Sequence, residues 1–271
     1  MTTYTETFKR KEIKYRINAE QYERIKQGLA AYMEVDDYGA TKIESLYYDT
    51  PARAIIERSL EKPYYKEKLR VRKYVGDGTG MMYVELKKKV NGIVYKRRVQ
   101  MPASAAGAYM AGETYERAMI DALGKTPETM EKLAEKRQIA REIDAFKTRY
   151  PGLRESMVIG VVRTAWRAKA DCAEADNLRI TFDENPCYID MMAGTPGYDQ
   201  KAPRTGRLIN PGEAIMEIKC LGAYPLWLVH LLTECQVYPT SFSKYGEAYR
   251  ICTGTKKSIE EKQPNIDRAI A

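Results

Sequence analysis

Lysine and arginine alternate with apolar residues along several short segments of this sequence. In one of them, Lys68, Arg70 and Arg72 are separated by Leu69 and Val71. Alternate side chains of a β-strand lie on one face, so this spacing predicts strands with one cationic face and one apolar face. The cationic positions on these predicted faces are Arg10, Lys14, Arg16, Lys68, Arg70, Arg72, Lys87, Lys89, Lys96, Arg98, Arg163, Arg179, Lys219 and Lys244.

Acidic residues are few on the same faces: Glu12, Glu85, Asp183 and Glu217. Solvated faces usually mix both signs of charge, and like charges on neighbouring strands repel each other. The excess of positive charge therefore predicts a bound anion. Arginine forks and lysine ammonium groups bind phosphate oxygens, and a carboxylate among them is a typical ligand for a divalent cation that bridges those oxygens. Glu217 is the candidate for that ligand.

The composition narrows the chemistry further. The 271 residues include 45 Lys and Arg against 37 Asp and Glu, a formal net charge of +8 that favours an anionic partner. The single histidine, His230, lies in an apolar run, which leaves little room for histidine-based catalysis. The five cysteines lack metal-site spacing, and the first residues lack the apolar core of a signal peptide. We expect a cytoplasmic protein with no membrane segment.

Amphipathic segments and turn signals separate the predicted strands. Helices are predicted over Asn18–Met33, Thr129–Tyr150 and Pro225–Cys235. Asn91-Gly92 is a typical hairpin turn, and residues 193–211, rich in Gly and Pro, are predicted to form a loop. The chain is therefore predicted to be of the α+β class.

A closed antiparallel β-barrel would reconcile the strands with their charges. Closure removes the sheet edges and places the cationic side chains around one lumen, with the apolar alternates outside under the helices. We expect such a tunnel domain over residues 1–253, followed by a polar C-terminal tail over residues 254–271.

Nine segments, in this order along the chain, resemble a known family. They are KEIKYRI (Lys11 to Ile17), SLYYDTP (Ser45 to Pro51), KLRVRKY (Lys68 to Tyr74), YVELKKK (Tyr83 to Lys89), YKRRV (Tyr95 to Val99), VVRTAWR (Val161 to Arg167), LRITFDEN (Leu178 to Asn185), IMEIKC (Ile215 to Cys220) and SFSKYGEA (Ser241 to Ala248). Together they resemble the polyphosphate polymerase domain of the vacuolar transporter chaperone (VTC) family, within the triphosphate tunnel metalloenzyme or CYTH-like superfamily. The resemblance covers roughly residues 8 to 250.

The resemblance implies roles for individual residues. Glu217 matches the glutamate that binds the catalytic Mn²⁺ or Mg²⁺. The residues that match the family's phosphate-binding positions are Lys14, Arg70, Arg72, Lys87, Lys96, Arg98, Arg163, Arg179 and Lys244. We add Lys219, which shares the strand face of Glu217.

Two positions depart from the pattern. The superfamily's first motif is E-x-E-x-K, and Arg10 stands at its first glutamate, so only Glu12 and Lys14 remain. Ser241 stands where the family often has a lysine. The first departure disfavours the superfamily's usual hydrolase or cyclase metal site, and the second removes one phosphate contact.

The implied activity is transfer of the γ-phosphoryl group of ATP to a phosphate or polyphosphate chain. Phosphoryl transfer depends on positioning and charge neutralisation, which a site of Arg70, Arg72, Lys87 and Glu217 would supply. Two alternatives stay open: hydrolysis of tripolyphosphate or nucleoside triphosphates in the same tunnel, and a non-catalytic barrel that binds polyphosphate or RNA. We expect no nucleic-acid partner, because exposed aromatic residues are not interleaved with the basic ones.

Overall fold

A single antiparallel sheet organises the chain. The computed structural model describes residues 10–91, 93–194, 204–256 and 259, and the side chains of residues 10 and 11 lie outside this description. The strands are β1 (Arg10–Ile17), β2 (Met33–Asp49), β3 (Tyr65–Val75), β4 (Met81–Val90), β5 (Ile93–Pro102), β6 (Arg154–Ala168), β7 (Leu178–Asp190), β8 (Thr205–Arg207), β9 (Ala214–Leu221) and β10 (Pro239–Thr240). Their spatial order is β10-β1-β9-β7-β6-β2-β3-β4-β5, and β8 pairs with β7.

Helices connect and cover the strands. Within the described residues they are α1 (Ala19–Leu29), α2 (Ala54–Leu60), α3 (Ala103–Met110), α4 (Tyr115–Leu123), α5 (Pro127–Arg149), α6 (Leu226–Glu234) and α7 (Lys244–Cys252). The three predicted helices are present as α1, α5 and α6 with shifted ends. Asn18 caps α1: its side chain accepts from the Gln21 backbone N–H at 2.8 Å, and the Gln21 side chain accepts from the Asn18 N–H. No helix in the described ranges is both long enough and apolar enough to cross a membrane.

The two faces of the sheet differ as the alternation predicts. The apolar face packs under helices in two clusters, one with Ile25 of α1 and Leu228 of α6, the other with Tyr109 of α3 and Phe146 of α5. The predicted outward-facing residues found in these clusters are Ile13, Tyr15, Leu69, Val71, Leu86, Ile180 and Ile218. The opposite face carries the alternating ionic residues, and we refer to it as the charged face.

Helix α7 lies on the charged side of the sheet, and Ile56 of α2 belongs to the same apolar cluster as α7. Ala248 and Ile251 of α7 share one apolar cluster with Ile43, Val161 and Ile215, which lie on the charged face because Ile43 is opposite Val161 and Ile215 is opposite Asp183. This third apolar cluster covers one part of the face, so the ionic side chains are confined to the remainder. Helix α7 thus shapes the site as well as contributing Lys244.

The expected barrel closure is wrong for the described residues. The sheet is open, because β5 pairs only with β4 and β10 pairs only with β1 within them. Alternation specifies which face turns inward, but closure also requires matched strand tilt and stagger between the first and last strands. The sequence pattern contains no information on that match.

The open sheet is nevertheless strongly curled. Strands β1 and β4 are six places apart in the sheet, about 29 Å if it were flat. Yet the Lys87 Nζ on β4 lies 3.7 Å from the Glu12 Oε1 on β1. The sheet therefore bends toward its charged face and brings both halves of that face together.

Smaller differences concern loops and termini. Strand β8 lies inside the segment predicted to be a loop, of which residues 195–203 are outside the described part. Gly92 of the predicted turn, residues 1–9 of the predicted domain, and residues 257, 258 and 260–271 of the predicted tail also lie outside it.

Candidate functional site

Glu85 holds three of the predicted phosphate-binding side chains. Its carboxylate is 1% exposed and lies 2.6 Å from Arg70 Nη2, 2.7 Å from Lys96 Nζ and 3.3 Å from Arg98 Nε. Burial alone would raise the pKa of Glu85, but Arg70, Arg72 and Lys96 lower it to about 2. Strand register explains the grouping, because Glu85 is directly opposite Arg70 on β3 and Arg98 on β5. One buried carboxylate thus pre-positions three cations.

Asp183 organises a second group on the other half of the face. It is 1% exposed, accepts from Arg163 Nε at 2.6 Å and from Arg163 Nη2 at 2.8 Å, and pairs with Lys244 at the start of α7. Burial opposes its ionisation, but Lys244 and Arg163 hold the pKa of this carboxyl well below its usual range. The structure therefore brings the predicted residues Arg163 and Lys244 together on one carboxylate.

Glu217 lies in a third group, at the junction of β9 and β1. Its Oε1 lies 2.8 Å from Lys219 Nζ and its Oε2 lies 3.8 Å from Lys14 Nζ. The same Lys14 Nζ lies 3.9 Å from Glu12 Oε1. Burial would raise the pKa of Glu217, but Lys219, Lys14 and Arg163 lower it to about 2, so the carboxylate is ionised.

A divalent cation fits this third group as part of a complex with phosphate. No cluster of three or more acidic, histidine or cysteine side chains suited to a metal occurs in the described chain. Glu12 and Glu217 supply two carboxylates beside one lysine, and Mg²⁺ is commonly held by one or two carboxylates together with substrate phosphates. Glu12, the surviving glutamate of the first motif, was not predicted as a metal ligand, although its E-x-K spacing from Lys14 was the available signal.

Lys68 and Arg72 are cations of the charged face that have no carboxylate within ion-pair distance among the described residues. Lys68 donates to Ser243 Oγ at 3.2 Å, and Arg72 donates from Nε to Ser45 Oγ at 3.1 Å. Burial lowers the pKa of both side chains. These positions concentrate uncompensated positive charge between the Glu85 group and α7.

Tyr47 lies among these cations and was missed at the sequence level. Its phenol oxygen accepts from Arg70 Nη1 at 3.0 Å, and its ring stacks on Tyr245 of α7 with centroids 4.7 Å apart. Burial opposes ionisation of the phenol, but Arg70, Lys68 and Arg72 outweigh it and lower the pKa of Tyr47 to about 7. The sequence signal for Tyr47 was its position two residues after Ser45 in β2, which places both side chains on the same face of the strand.

Other predicted residues lie apart from these groups. Arg179 is 58% exposed and pairs with Asp36 at 3.1 Å, away from the three carboxylates. Arg16 pairs with Glu213 at 2.6 Å, while Lys89 and Ser241 are exposed. The side chain of Arg10 lies outside the described residues.

Affinity for a triphosphate is expected to depend on pH through Lys68 and Tyr47. The pKa of Lys68 is lowered to about 8, by burial and by nearby lysines, and that of Tyr47 to about 7. As the pH rises from 7 to 9, Tyr47 gains a negative charge and Lys68 loses a positive one. Both changes weaken anion binding, and because Lys68 is present in both proteins, the charge gained by Tyr47 should make the wild-type affinity for tripolyphosphate fall several-fold relative to that of Tyr47→Phe.

Comparison with Tyr47→Phe isolates the effect of Tyr47 ionisation, because the titration of the ligand is the same in both proteins. Calorimetry at several pH values measures the ratio of the two dissociation constants. A ratio that does not change with pH would show that Tyr47 stays protonated throughout this range.

Comparison with known proteins gives both weak and strong similarities. A solved structure from Vibrio parahaemolyticus, provisionally described as an adenylate cyclase, is 11% identical with a TM-score of 0.41 and covers 89% of this chain and 97% of that chain. A second, from Bacillus halodurans and described in the same way, is 11% identical with a TM-score of 0.45 and covers 87% of this chain and 95% of that chain. TM-scores below 0.5 do not establish a shared fold. No curated protein matches the sequence.

A family model matches most of the sequence. The VTC domain model aligns with residues 9–253, which include Lys14, Glu85, Asp183, Glu217 and Lys244. The match spans all ten strands and all seven helices of the described residues. The chain therefore belongs to the VTC domain family.

Proposed function

We propose that this protein is a metal-dependent polyphosphate polymerase. It would transfer the γ-phosphoryl group of ATP to inorganic phosphate or to the end of a polyphosphate chain, and release ADP. Membership of the VTC family implies triphosphate or polyphosphate ligands. The observation that carries the proposal is the curled charged face, on which Lys68 and Arg72 lack carboxylate partners among the described residues.

The proposed roles of the residues are divided between the two halves of the charged face. Arg70, Arg72, Lys87 and Lys96 would bind the triphosphate on one half of the face. Such a site neutralises charge and aligns the groups, which is most of what phosphoryl transfer requires. An anionic phosphate acceptor needs no proton removed before it attacks, in agreement with a face that carries no histidine.

Residues on the other half would receive the metal and the chain. Glu217, with Glu12, would hold Mn²⁺ or Mg²⁺ through carboxylate oxygens, and the metal when bound would neutralise charge on the transferred phosphoryl group. Lys14 and Lys219, which contact Glu217 here, would be free to turn to phosphate oxygens. Arg163 and Lys244 would contact the product chain.

Product analysis tests the proposal directly. Purified protein incubated with ATP and Mn²⁺ should yield polyphosphate that forms a ladder on a gel, together with one ADP for each phosphate incorporated. The control without divalent cation should yield neither product. Orthophosphate without chains would establish the hydrolase alternative instead, and binding of polyphosphate without any turnover would establish the non-catalytic one.

Removal of single cations should weaken binding itself. Lys87→Ala and Arg72→Ala each delete one charge from the proposed triphosphate site, and a charge-assisted contact contributes about 1.5–3 kcal/mol. Each variant should therefore bind tripolyphosphate at least about tenfold more weakly in calorimetry.

Lys89→Ala is the matched control for these variants. Lys89 lies two residues after Lys87 on the same face of β4, but it is exposed. Its removal should change the affinity by less than about twofold, because exposed charges are well screened. Equal losses in all three variants would indicate diffuse attraction to a basic surface rather than a defined site.

A further inference from the structure

Two tyrosines lie at one end of the charged face, beyond the cations held by Glu85. Tyr74 of β3 and Tyr83 of β4 are both half-buried, and their rings meet edge to face with centroids 5.5 Å apart. Tyr83 is directly opposite Arg72 on one side and Gln100 on the other. The aromatic pair is therefore continuous with the proposed phosphate site.

A planar guanidinium already lies against this pair. The Arg98 guanidinium carbon is 3.5 Å from the Tyr83 ring centroid, and Arg98 Nη2 donates to the Tyr74 hydroxyl at 3.5 Å. The Arg98 side chain remains 33% exposed, so the stack is open to solvent on part of its surface. Planar bases stack well on tyrosine rings and on guanidinium groups. We refer to Tyr83 and Arg98 as the stacking platform.

The order of residues along β3 and β4 fixes a direction. From the platform, successive cross-strand pairs are Arg72 with Tyr83, then Arg70 with Glu85, then Lys68 with Lys87. Each step along a strand face is about 6.8 Å. Lys87 at the far end contacts Glu12, which lies beside Glu217. A molecule with a planar group at one end and phosphates at the other matches this sequence of contacts.

We propose that the stacking platform and Gln100 bind the base of a nucleoside triphosphate. This inference rests on the proposed function and adds the orientation of the substrate to it. The base stacks on the platform, Arg72 and Arg70 bind the inner phosphates, and the γ-phosphate lies beside Lys87, Glu12 and Glu217. Gln100 is exposed next to Tyr83, and its amide, which both donates and accepts, suits the polar edge of any base.

Stacking tolerates different bases, so the subsite should separate nucleotides from inorganic chains rather than one nucleotide from another. Tyr83→Leu should weaken binding of ATP and GTP on the order of tenfold. Binding of tripolyphosphate, which has no base, should change less than about twofold because every cation remains. Tyr83→Phe keeps the ring and should bind all three ligands as the wild type does.

Tyr95→Leu provides the matched control. Tyr95 is an exposed tyrosine of the same β4–β5 hairpin, located opposite Lys88 on the other face. Tyr95→Leu should leave the affinities for ATP, GTP and tripolyphosphate unchanged. Circular dichroism checks that each leucine variant is folded before calorimetry is interpreted.

The outcomes separate this inference from the proposed function. Equal weakening of ATP and tripolyphosphate in Tyr83→Leu would show that Tyr83 only holds Arg98 for phosphate, and unchanged ATP affinity would also overturn the base subsite. Failure of the wild type to bind tripolyphosphate would instead overturn the proposed function. Loss restricted to the nucleotides, with recovery in Tyr83→Phe, is the result we expect.

Discussion

Glu217→Gln is expected to lower the rate of triphosphate turnover at least about a hundredfold while leaving triphosphate binding largely intact. The substitution removes the charge of a carboxylate with little change in size. A metal ion in such a site contributes several kcal/mol of charge stabilisation in the transition state, and each 1.36 kcal/mol is a factor of ten in rate. Binding should survive because the cations held by Glu85 are untouched.

The same variant should bind tripolyphosphate as tightly as the wild type or slightly more tightly in the absence of metal. Lys14 and Lys219 now contact Glu217, and its neutralisation would make their charges available to phosphate oxygens. Glu213→Gln is the control, since Glu213 forms an ion pair with Arg16 at 2.6 Å outside the three groups. Metal-dependent turnover of Glu217→Gln at the wild-type rate would refute the metal assignment.

Asp183→Asn should destabilise the unliganded protein strongly. The change leaves Arg163 and Lys244 partly buried without their counter-charge, and breaking such a buried pair costs about 3 kcal/mol or more. For a domain of this size that corresponds to a fall in Tm of about 6–12 °C. Differential scanning calorimetry of the two proteins without ligand measures this difference in Tm.

Ligand should reverse part of this loss. A bound polyphosphate would supply negative charge to Arg163 and Lys244, so the gap in Tm between Asp183→Asn and wild type should narrow with ligand present. Asp37→Asn is the matched control, because Asp37 and Arg167 form an ion pair in which both side chains are exposed, and exposed ion pairs contribute about 0–1 kcal/mol. A gap that is the same with and without polyphosphate would place Asp183 outside the ligand site.

Alternation along the strands was enough to predict the two faces of the sheet. The apolar positions Leu69, Val71 and Ile218 lie under helices, as the period of two requires. Most of the predicted cations lie on the opposite face, because their positions follow from the same alternation. The capped start of α1 was also predictable, since Asn18 and Gln21 have the spacing of a capping box.

Contacts between side chains on neighbouring strands were not predictable in the same way. Glu85 holds Arg70, Lys96 and Arg98 only because of the register in which β3, β4 and β5 pair. Turn geometry and packing set that register, and neither is apparent in the alternation of a single strand. The aromatic pair of Tyr74 and Tyr83 was missed for this reason, as each tyrosine lies on a different strand.

The position of Lys244 shows a second limit. It was grouped with the strand cations, but it begins α7, which lies on the charged side of the sheet. Short helices such as α7 have too few turns to show a clear period, so their existence depends on tertiary packing. Arg179 alternates along β7 as predicted, yet its exposed side chain pairs with Asp36, apart from the three carboxylates.

The uncompensated charges of Lys68 and Arg72 determine which solutions are suitable for assays. Neither has a carboxylate partner in the described chain, so any multivalent buffer ion competes for them. A buffer phosphate present at ten times its own dissociation constant would raise the apparent KM for a triphosphate about elevenfold by simple competition. Kinetic or binding constants measured in phosphate or sulfate buffers should therefore differ from those in chloride or acetate at equal ionic strength, and only the latter would report the properties of the free protein.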